Sequence, residues 1–167
     1  MNLTSHQELQ EEIEKINPDC IGIEITQEDI NNNFIENYPD EMQFILHYAK
    51  DNSINFFGFD SNINIFRENI NVTEIEEELI REQKKIISKY SWKDFNKSEN
   101  AKLLKTSTEK RLINPNKFKL KQQEMAQNIK NNISSLTKNS KVLIITGCSH
   151  LDFFEKEFEG VQFPLRN

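Results

Sequence analysis

Residues 141–154, KVLIITGCSHLDFF, constrain the fold more than any other part of this sequence. Their Val-Leu-Ile-Ile run is continuously apolar and β-branched at three of four positions, which is typical of a strand covered on both faces. A Thr-Gly pair ends the run, and His150 stands at the start of a predicted helix. Open α/β sheets bind ligands where strands end and helices begin, so the run predicts a binding edge. The alternative is an ordinary strand–helix turn that carries a solvated histidine.

Two further apolar runs read as buried strands, and each has an acid at its carboxyl end. Glu24 lies inside residues 20–25, CIGIEI, and Asp60 follows residues 54–59, INFFGF. A carboxylate in such a run costs free energy unless it is paired, hydrogen-bonded or bound to a metal. The alternative for Glu24 is a position at the solvated edge of its strand. Each strand also has a glycine in it or just after it, which allows close backbone approach: Gly22, Gly58 and Gly147.

Helical periodicity separates these strands, and the alternation predicts an α/β class with a mostly parallel sheet flanked by helices. Right-handed crossovers are expected between the strands. At 167 residues the chain is expected to form a single α/β domain, with a helical insertion over about 72–116. The remaining predicted helices cover residues 4–16, 39–49, 118–136 and 151–158.

Composition narrows the classes of function. A net charge of −6 argues against broad nucleic-acid binding through phosphate neutralisation. Two cysteines, Cys20 and Cys148, are too few for a disulfide framework. Residues 1–20 lack the apolar core of a signal peptide, and no apolar run approaches the length of a membrane span. The expected location is the cytoplasm, with no membrane partner.

Three motifs occur in a fixed order: residues 18–24, Pro-Asp-Cys-Ile-Gly-Ile-Glu, then Asp60 after the second strand, then residues 147–150, Gly-Cys-Ser-His. Together they resemble the TraB/TIKI and erythromycin-esterase/ChaN-like superfamily. That pattern has a Gly-x-x-His after a first strand, a Pro-Asp-(apolar)-Glu strand, an arginine-containing helix and a second Gly-x-x-His. The resemblance extends over roughly the whole chain and rests on the order and spacing of short motifs.

The chain departs from that pattern at two places. The first Gly-x-x-His has no counterpart, and its histidine would fall just before Met1, so we expect an N-terminal truncation or a lost strand. Lys121 stands where the superfamily has the helix arginine. Lysine keeps the positive charge but lacks the planar two-pronged guanidinium.

The resemblance implies a metal-dependent hydrolase of the peptidase or esterase type, acting on a small-molecule or peptide substrate. His150 and Glu24 would be the catalytic residues and the ligands of a divalent metal (Zn, Mn or Co) that activates water for attack on a carbonyl. Asp60, Lys121 and Ser149 would bind the substrate. If the strands are parallel, Glu24, Asp60 and His150 are expected to open onto one cleft.

The sequence leaves two alternatives to an active metal-dependent hydrolase. A catalytic metal site usually has three protein ligands, and two are proposed here, so the chain is expected to have weak or no hydrolase activity. It would then be an inactive relative that binds a ligand or partner at the same strand edge. Cys148 is a candidate nucleophile, but a Cys-x-His turn does not easily place both side chains for proton transfer.

Overall fold

The computed structural model describes residues 6–65, 74–109 and 115–162. The chain divides into two compact units. The first takes Met1–Asn62 and Gln123–Thr146, and the second takes Ile63–Gln122 and Gly147–Asn167. The helical insertion expected over about 72–116 falls within the second unit, which also takes the segment that follows the third strand.

A three-stranded parallel sheet forms the centre of the first unit. Its strands are β1 (Cys20–Ile23), β2 (Asn55–Gly58) and β3 (Val142–Ile145), in the order β2-β1-β3. Ile21 pairs with Phe56 on one side and with Leu143 on the other. All four residues of the central strand are buried. The predicted α/β class and all three predicted parallel strands are therefore confirmed.

The first two helices of this unit have identifiable ends. Helix α1 (His6–Ile16) ends at Asn17, whose φ of 48° is left-handed. The proline that follows Asn17 disfavours the α-helical conformation at Asn17, so the helix does not continue. Helix α2 (Gln27–Asn32) starts at Thr26, whose hydroxyl accepts a hydrogen bond from the Asp29 N–H, and it ends at a left-handed Asn33. The segment between β1 and the next long helix thus contains one short helix.

Two longer helices supply much of the core of the first unit. Helix α3 (Asp40–Asp51) contacts β1 and β2. Its apolar stripe is buried: Met42, Ile45, Leu46 and Ala49. The next helix to contribute is Pro115–Ser134, which begins three residues before its predicted start because proline fits the first turn of a helix. Its residues Met125, Ala126 and Ile129 are buried, whereas Ile133, one turn after Ile129, is 38% exposed.

The second unit is helical. Its helices are α4 (Glu74–Ile87), α5 (Ser98–Glu109), the first part of α6 (Pro115–Ser134) and α7 (Leu151–Glu157), with 3₁₀ turns at Lys93–Asn96 and Cys148–His150. Helix α5 contacts α4, α7 and both 3₁₀ turns. Among its described residues, the buried apolar side chains are Ile65, Phe95, Ala101, Phe118, Leu151 and Phe154. The predicted start of the helical insertion, at about residue 72, lies outside the described residues.

Candidate functional site

The order of the strands defines a switch point in the first unit. From β1 the chain moves to β2 on one side, and it later returns to form β3 on the other side of β1. Open parallel sheets bind ligands at the carboxyl ends of the strands where the order reverses in this way. The residues that follow β1 and β3 therefore form the candidate site.

Glu24 and Thr146 meet at this switch point. The ladder continues one residue beyond the strands, because the Glu24 N–H donates to the Ile145 carbonyl at 3.2 Å. Cross-strand neighbours face the same side of a sheet, which brings the two side chains together. The Thr146 hydroxyl donates to Glu24 Oε2 at 2.6 Å, the short distance expected for a hydroxyl bonded to a carboxylate. Glu24 was predicted from the sequence, whereas Thr146 was missed because its role depends on the strand register.

Asp60 lies just after β2, and its carboxylate accepts a hydrogen bond from the loop to which it belongs. Oδ1 of Asp60 accepts a hydrogen bond from the Ser61 N–H at 2.7 Å. The Ser61 hydroxyl donates to Glu124 Oε2 at 2.5 Å, and the Asn128 amide donates to the Asp60 carbonyl at 3.3 Å. Glu124 and Asn128 are four residues apart and share one face of α6. That spacing is visible in the sequence, but their partners are not.

A third polar group follows β1. The Tyr38 hydroxyl donates to Asp29 Oδ2 at 2.6 Å, and the Thr26 hydroxyl donates to the same oxygen at 2.8 Å. The Thr26 N–H donates to the Tyr38 oxygen at 3.2 Å. Burial raises the pKa of Tyr38, and its hydrogen bond to Asp29 raises it further. This group holds the loop after α2 against the turn that leaves β1.

His150 lies in the second unit, at the end of the 3₁₀ turn Cys148–His150. Its side chain is buried, with 4% of the residue exposed, so the solvated histidine considered from the sequence is wrong. The imidazole packs against Phe118, with ring centroids 5.3 Å apart, and against Phe154 at 6.2 Å. Ser149 precedes it and is half-buried. The sequence did not indicate this aromatic environment, because Phe118 is distant in the chain.

The remaining predicted residue, Lys121, is also in the second unit, on α6, and is buried. A charge pair with no signal in the sequence lies in the same unit, where Lys105 Nζ of α5 is 4.0 Å from Asp152 Oδ2 of α7. Cys148 is half-buried and Cys20 is buried, and no disulfide joins these two cysteines. Burial raises the pKa of the Cys20 thiol.

The structure thus places Glu24 and Asp60 at the ends of neighbouring strands of the first unit, each with its own hydrogen-bond partner. His150, Ser149 and Lys121 belong to the second unit. The cleft expected to be shared by Glu24, Asp60 and His150 stays a prediction.

A divalent metal requires a cluster of ligating side chains. Among residues 6–65, 74–109 and 115–162, no group of three or more His, Cys, Asp or Glu side chains could hold a metal ion. A catalytic zinc normally takes three protein ligands. The described side chains do not supply that set.

Comparison with known proteins adds no family assignment. No family model, curated protein or solved structure matches this chain. The resemblance to the TraB/TIKI and erythromycin-esterase/ChaN-like superfamily therefore stays a prediction. Over the described part of the chain, no helix combines the length and apolar character needed to cross a membrane.

Proposed function

We propose that this protein binds a small polar ligand at the carboxyl edge of its sheet, with Glu24 and Thr146 as the principal contacts. The observation that supports the proposal is the 2.6 Å hydrogen bond between these two side chains at the switch point between β1 and β3. An oriented carboxylate on the central strand is the kind of polar group that fixes a ligand in such a crevice.

The chemistry of the pair indicates the class of ligand. An ionised carboxylate only accepts hydrogen bonds and has capacity for several donors, and a threonine hydroxyl that donates to it keeps its acceptor capacity. Both groups therefore favour hydrogen-bond donors. A ligand that carries hydroxyl or amino groups fits this pair better than a phosphate or a carboxylate does. A cytoplasmic location belongs to the same proposal and rests on the sequence.

Hydrolysis of an ester or peptide bond is the second candidate. The observation that favours it is again the orientation of Glu24, because the Thr146 hydroxyl fixes one carboxylate oxygen. A carboxylate held in this way could act as a general base for attack of water on a carbonyl. His150 is the other residue that the resemblance assigns to this reaction, with Zn, Mn or Co as the implied metal.

The binding proposal is tested by screening hydroxylated and amino-bearing small molecules against the isotope-labelled full chain by NMR. Hits are expected to shift the amide signals of Glu24 and Thr146. Thr146→Val removes the hydroxyl while it keeps the shape, and Glu24→Gln removes the charge. Each is expected to weaken binding by roughly tenfold or more, since a hydrogen bond to a charged group contributes about 1.5–3 kcal/mol.

The matched control is Asp51→Asn, which removes an exposed carboxylate at the end of α3. It should leave binding unchanged. Binding that survives both Thr146→Val and Glu24→Gln would contradict the proposal.

The hydrolytic candidate is tested separately by assaying ester and peptide hydrolysis with the full chain alone and with Zn²⁺, Mn²⁺ or Co²⁺. Glu24→Gln and His150→Ala should each abolish any activity. Activity that neither substitution changes would remove the hydrolase, whereas ligand binding without hydrolysis would support the first proposal alone.

A further inference from the structure

The charges of the second unit are segregated along one helical hairpin. Helices α4 and α5 contact one another and are joined by residues 88–97. The Gln83 amide of α4 donates to the Thr108 hydroxyl at 3.1 Å, so the last turn of α5 lies beside the second half of α4. The two helices therefore run antiparallel, and residues 84–105 form the closed end of the hairpin. We call this segment the lysine tip.

The lysine tip is strongly basic in an acidic chain. It contains seven lysines and two carboxylates, a net charge of +5, so the remaining residues carry −11. Immediately before it, residues 74–82 contain five glutamates and one arginine. The net charge of −6 is thus the sum of regions with opposite sign. A polyanion responds to the local field of the tip and not to the average over the chain. The lysines of the tip are Lys84, Lys85, Lys89, Lys93, Lys97, Lys102 and Lys105.

Much of this positive charge is exposed and uncompensated. Lys97 Nζ lies 2.7 Å from Asp94 Oδ1, and Lys105 Nζ lies 4.0 Å from Asp152 Oδ2. Four further lysines are exposed, and none of them forms an ion pair with a carboxylate in the described part of the chain: Lys84, Lys85, Lys89 and Lys102. At a rise of about 1.5 Å per residue the tip is only about 15 Å long, so these like charges repel one another until an anion binds.

We propose that the lysine tip binds single-stranded nucleic acid through its phosphates, without regard to base sequence. Every cation of the tip is a lysine, a point charge that binds phosphate but lacks the planar fork with which arginine reads base edges. Trp92 lies in the connection between the helices and is half-buried, with Lys93 Nζ 5.5 Å from its ring centroid. An indole beside lysines is the combination that binds single strands, because unpaired bases stack on the ring.

A lipid surface fits the tip less well. Binding at a membrane interface requires several apolar side chains that enter the lipid. Within residues 84–105, the one large apolar side chain that is exposed is Leu103, at 43%. The inference goes beyond the proposed small-molecule site, which lies in the first unit, and does not depend on it.

Trp92 provides the readout, because it is the only tryptophan of the chain. The full chain is titrated with an oligothymidylate of about 20 nucleotides, and its fluorescence is expected to be quenched to saturation. Four phosphate contacts predict that affinity falls roughly 50-fold between about 50 and 200 mM salt. A duplex of equal length and polyglutamate should not quench Trp92, because neither offers an unpaired base. No binding of the oligonucleotide at the lower salt concentration would overturn the proposal.

A charge-matched pair of variants tests the location of the site. Glutamine at the four unpaired lysines of the tip should weaken binding by at least roughly tenfold and reduce the slope of affinity against salt by about three. The control replaces four exposed lysines of the first unit and changes the net charge equally: Lys15, Lys50, Lys130 and Lys138. It should bind like the wild type, and circular dichroism establishes that both variants are folded. Equal losses would mean that overall charge and not the tip controls binding.

Trp92→Leu tests the stacking. It should weaken binding of a dye-labelled oligothymidylate at least roughly fivefold, measured by anisotropy, and leave duplex binding unchanged. Trp92→Phe should recover part of the loss, since phenylalanine also stacks. If oligothymidylate, duplex and polyglutamate bind equally well, or if only vesicles that contain phosphatidylserine bind, single-stranded nucleic acid is the wrong partner.

Discussion

The two outer strands of the sheet satisfy their outward backbone groups differently. On β2, the N–H of Gly58 donates to Gln27 Oε1 at 2.9 Å, and α2 contacts this strand. On β3, Val142 and Ile144 have no such partner among the described residues. Both strands pair with β1 in parallel, so the difference comes from what lies beyond them and not from the ladder.

The difference shows how the outward backbone groups of β2 obtain a hydrogen-bond partner. Helix α2 begins directly after the turn that leaves β1, and its first residue, Gln27, reaches the neighbouring strand. The cap at Thr26 fixes where that helix starts and therefore where the Gln27 amide lies. Edge protection at β2 is thus a consequence of a helix cap.

The largest effect is expected from Gly58→Ala at the protected edge. A Cβ at this position would lie 2.6 Å from the Ile25 carbonyl oxygen and 2.9 Å from the Gln27 backbone nitrogen. Both atoms belong to the backbone, so the turn must shift. Denaturant unfolding should show a loss of about 1–3 kcal/mol in the free energy of unfolding. Asn55→Ala, at the exposed start of β2, is the control and should change it by less than about 0.5 kcal/mol.

Gly22 lies in the central strand, next to side chains of both outer strands. Gly22→Ala should lower the free energy of unfolding by less than Gly58→Ala does, about 1–2 kcal/mol. Its Cβ would lie 2.6 Å from Ile144 Cδ1 and 2.8 Å from Phe57 Cζ, which are side-chain atoms. Ile144→Val removes Cδ1, so the double variant should recover part of the loss, as measured by a double-mutant cycle in urea. Simple additivity of the two costs would show that the β3 contact is not the cause.

Gln27→Ala should leave the outward Gly58 N–H of β2 without its side-chain partner. It removes the acceptor of the Gly58 N–H and should lower the free energy of unfolding by about 1 kcal/mol. Hydrogen exchange of the Gly58 amide should become faster, while exchange at Val142 and Ile144 stays the same. Gln27→Glu keeps an acceptor oxygen and serves as the matched control. Unchanged exchange at Gly58 would mean that the side chain does not protect this edge.

The smallest expected effect is a change in how the free energy of unfolding depends on pH, through Tyr38 beside the start of α2. Burial and the hydrogen bond to Asp29 raise the pKa of Tyr38 above its ordinary value of 10.0. A group whose pKa is raised by folding adds stability that is complete below its unfolded pKa and is lost as pH rises through its folded pKa. The free energy of unfolding should therefore fall more steeply above pH 10.0 in the wild type than in Tyr38→Phe. Equal slopes would contradict this linkage.

The sequence predicted the strands well because a parallel strand buried on both faces is a continuous apolar run. Each continuous apolar run became a strand, although β1 ends at Ile23, two residues before the predicted end. The Ile25 N–H there bonds the Ile23 carbonyl at 2.7 Å and turns the chain out of the ladder. The acids Glu24 and Asp60 were predicted at the strand ends because a polar residue next to such a run is unusual.

The partners of these acids could not be predicted in the same way. Thr146 meets Glu24 across 122 residues of sequence, and Glu124 meets Ser61 across 63. Neither pair has a local signature, because the first depends on the order and register of the strands, and the second depends on which residues of α6 lie beside the loop after β2. The aromatic packing of Phe118 on His150 has the same origin.

By itself, the sequence determined which segments are strands, that they run parallel and that helices separate them, because hydrophobic period and run length act over a few residues. The tertiary structure alone decided that β1 is central, that Gln27 reaches β2 and that Glu24 meets Thr146. These features are set by contacts between residues distant in the chain, where packing and hydrogen-bond geometry select one arrangement among several that the same local pattern allows.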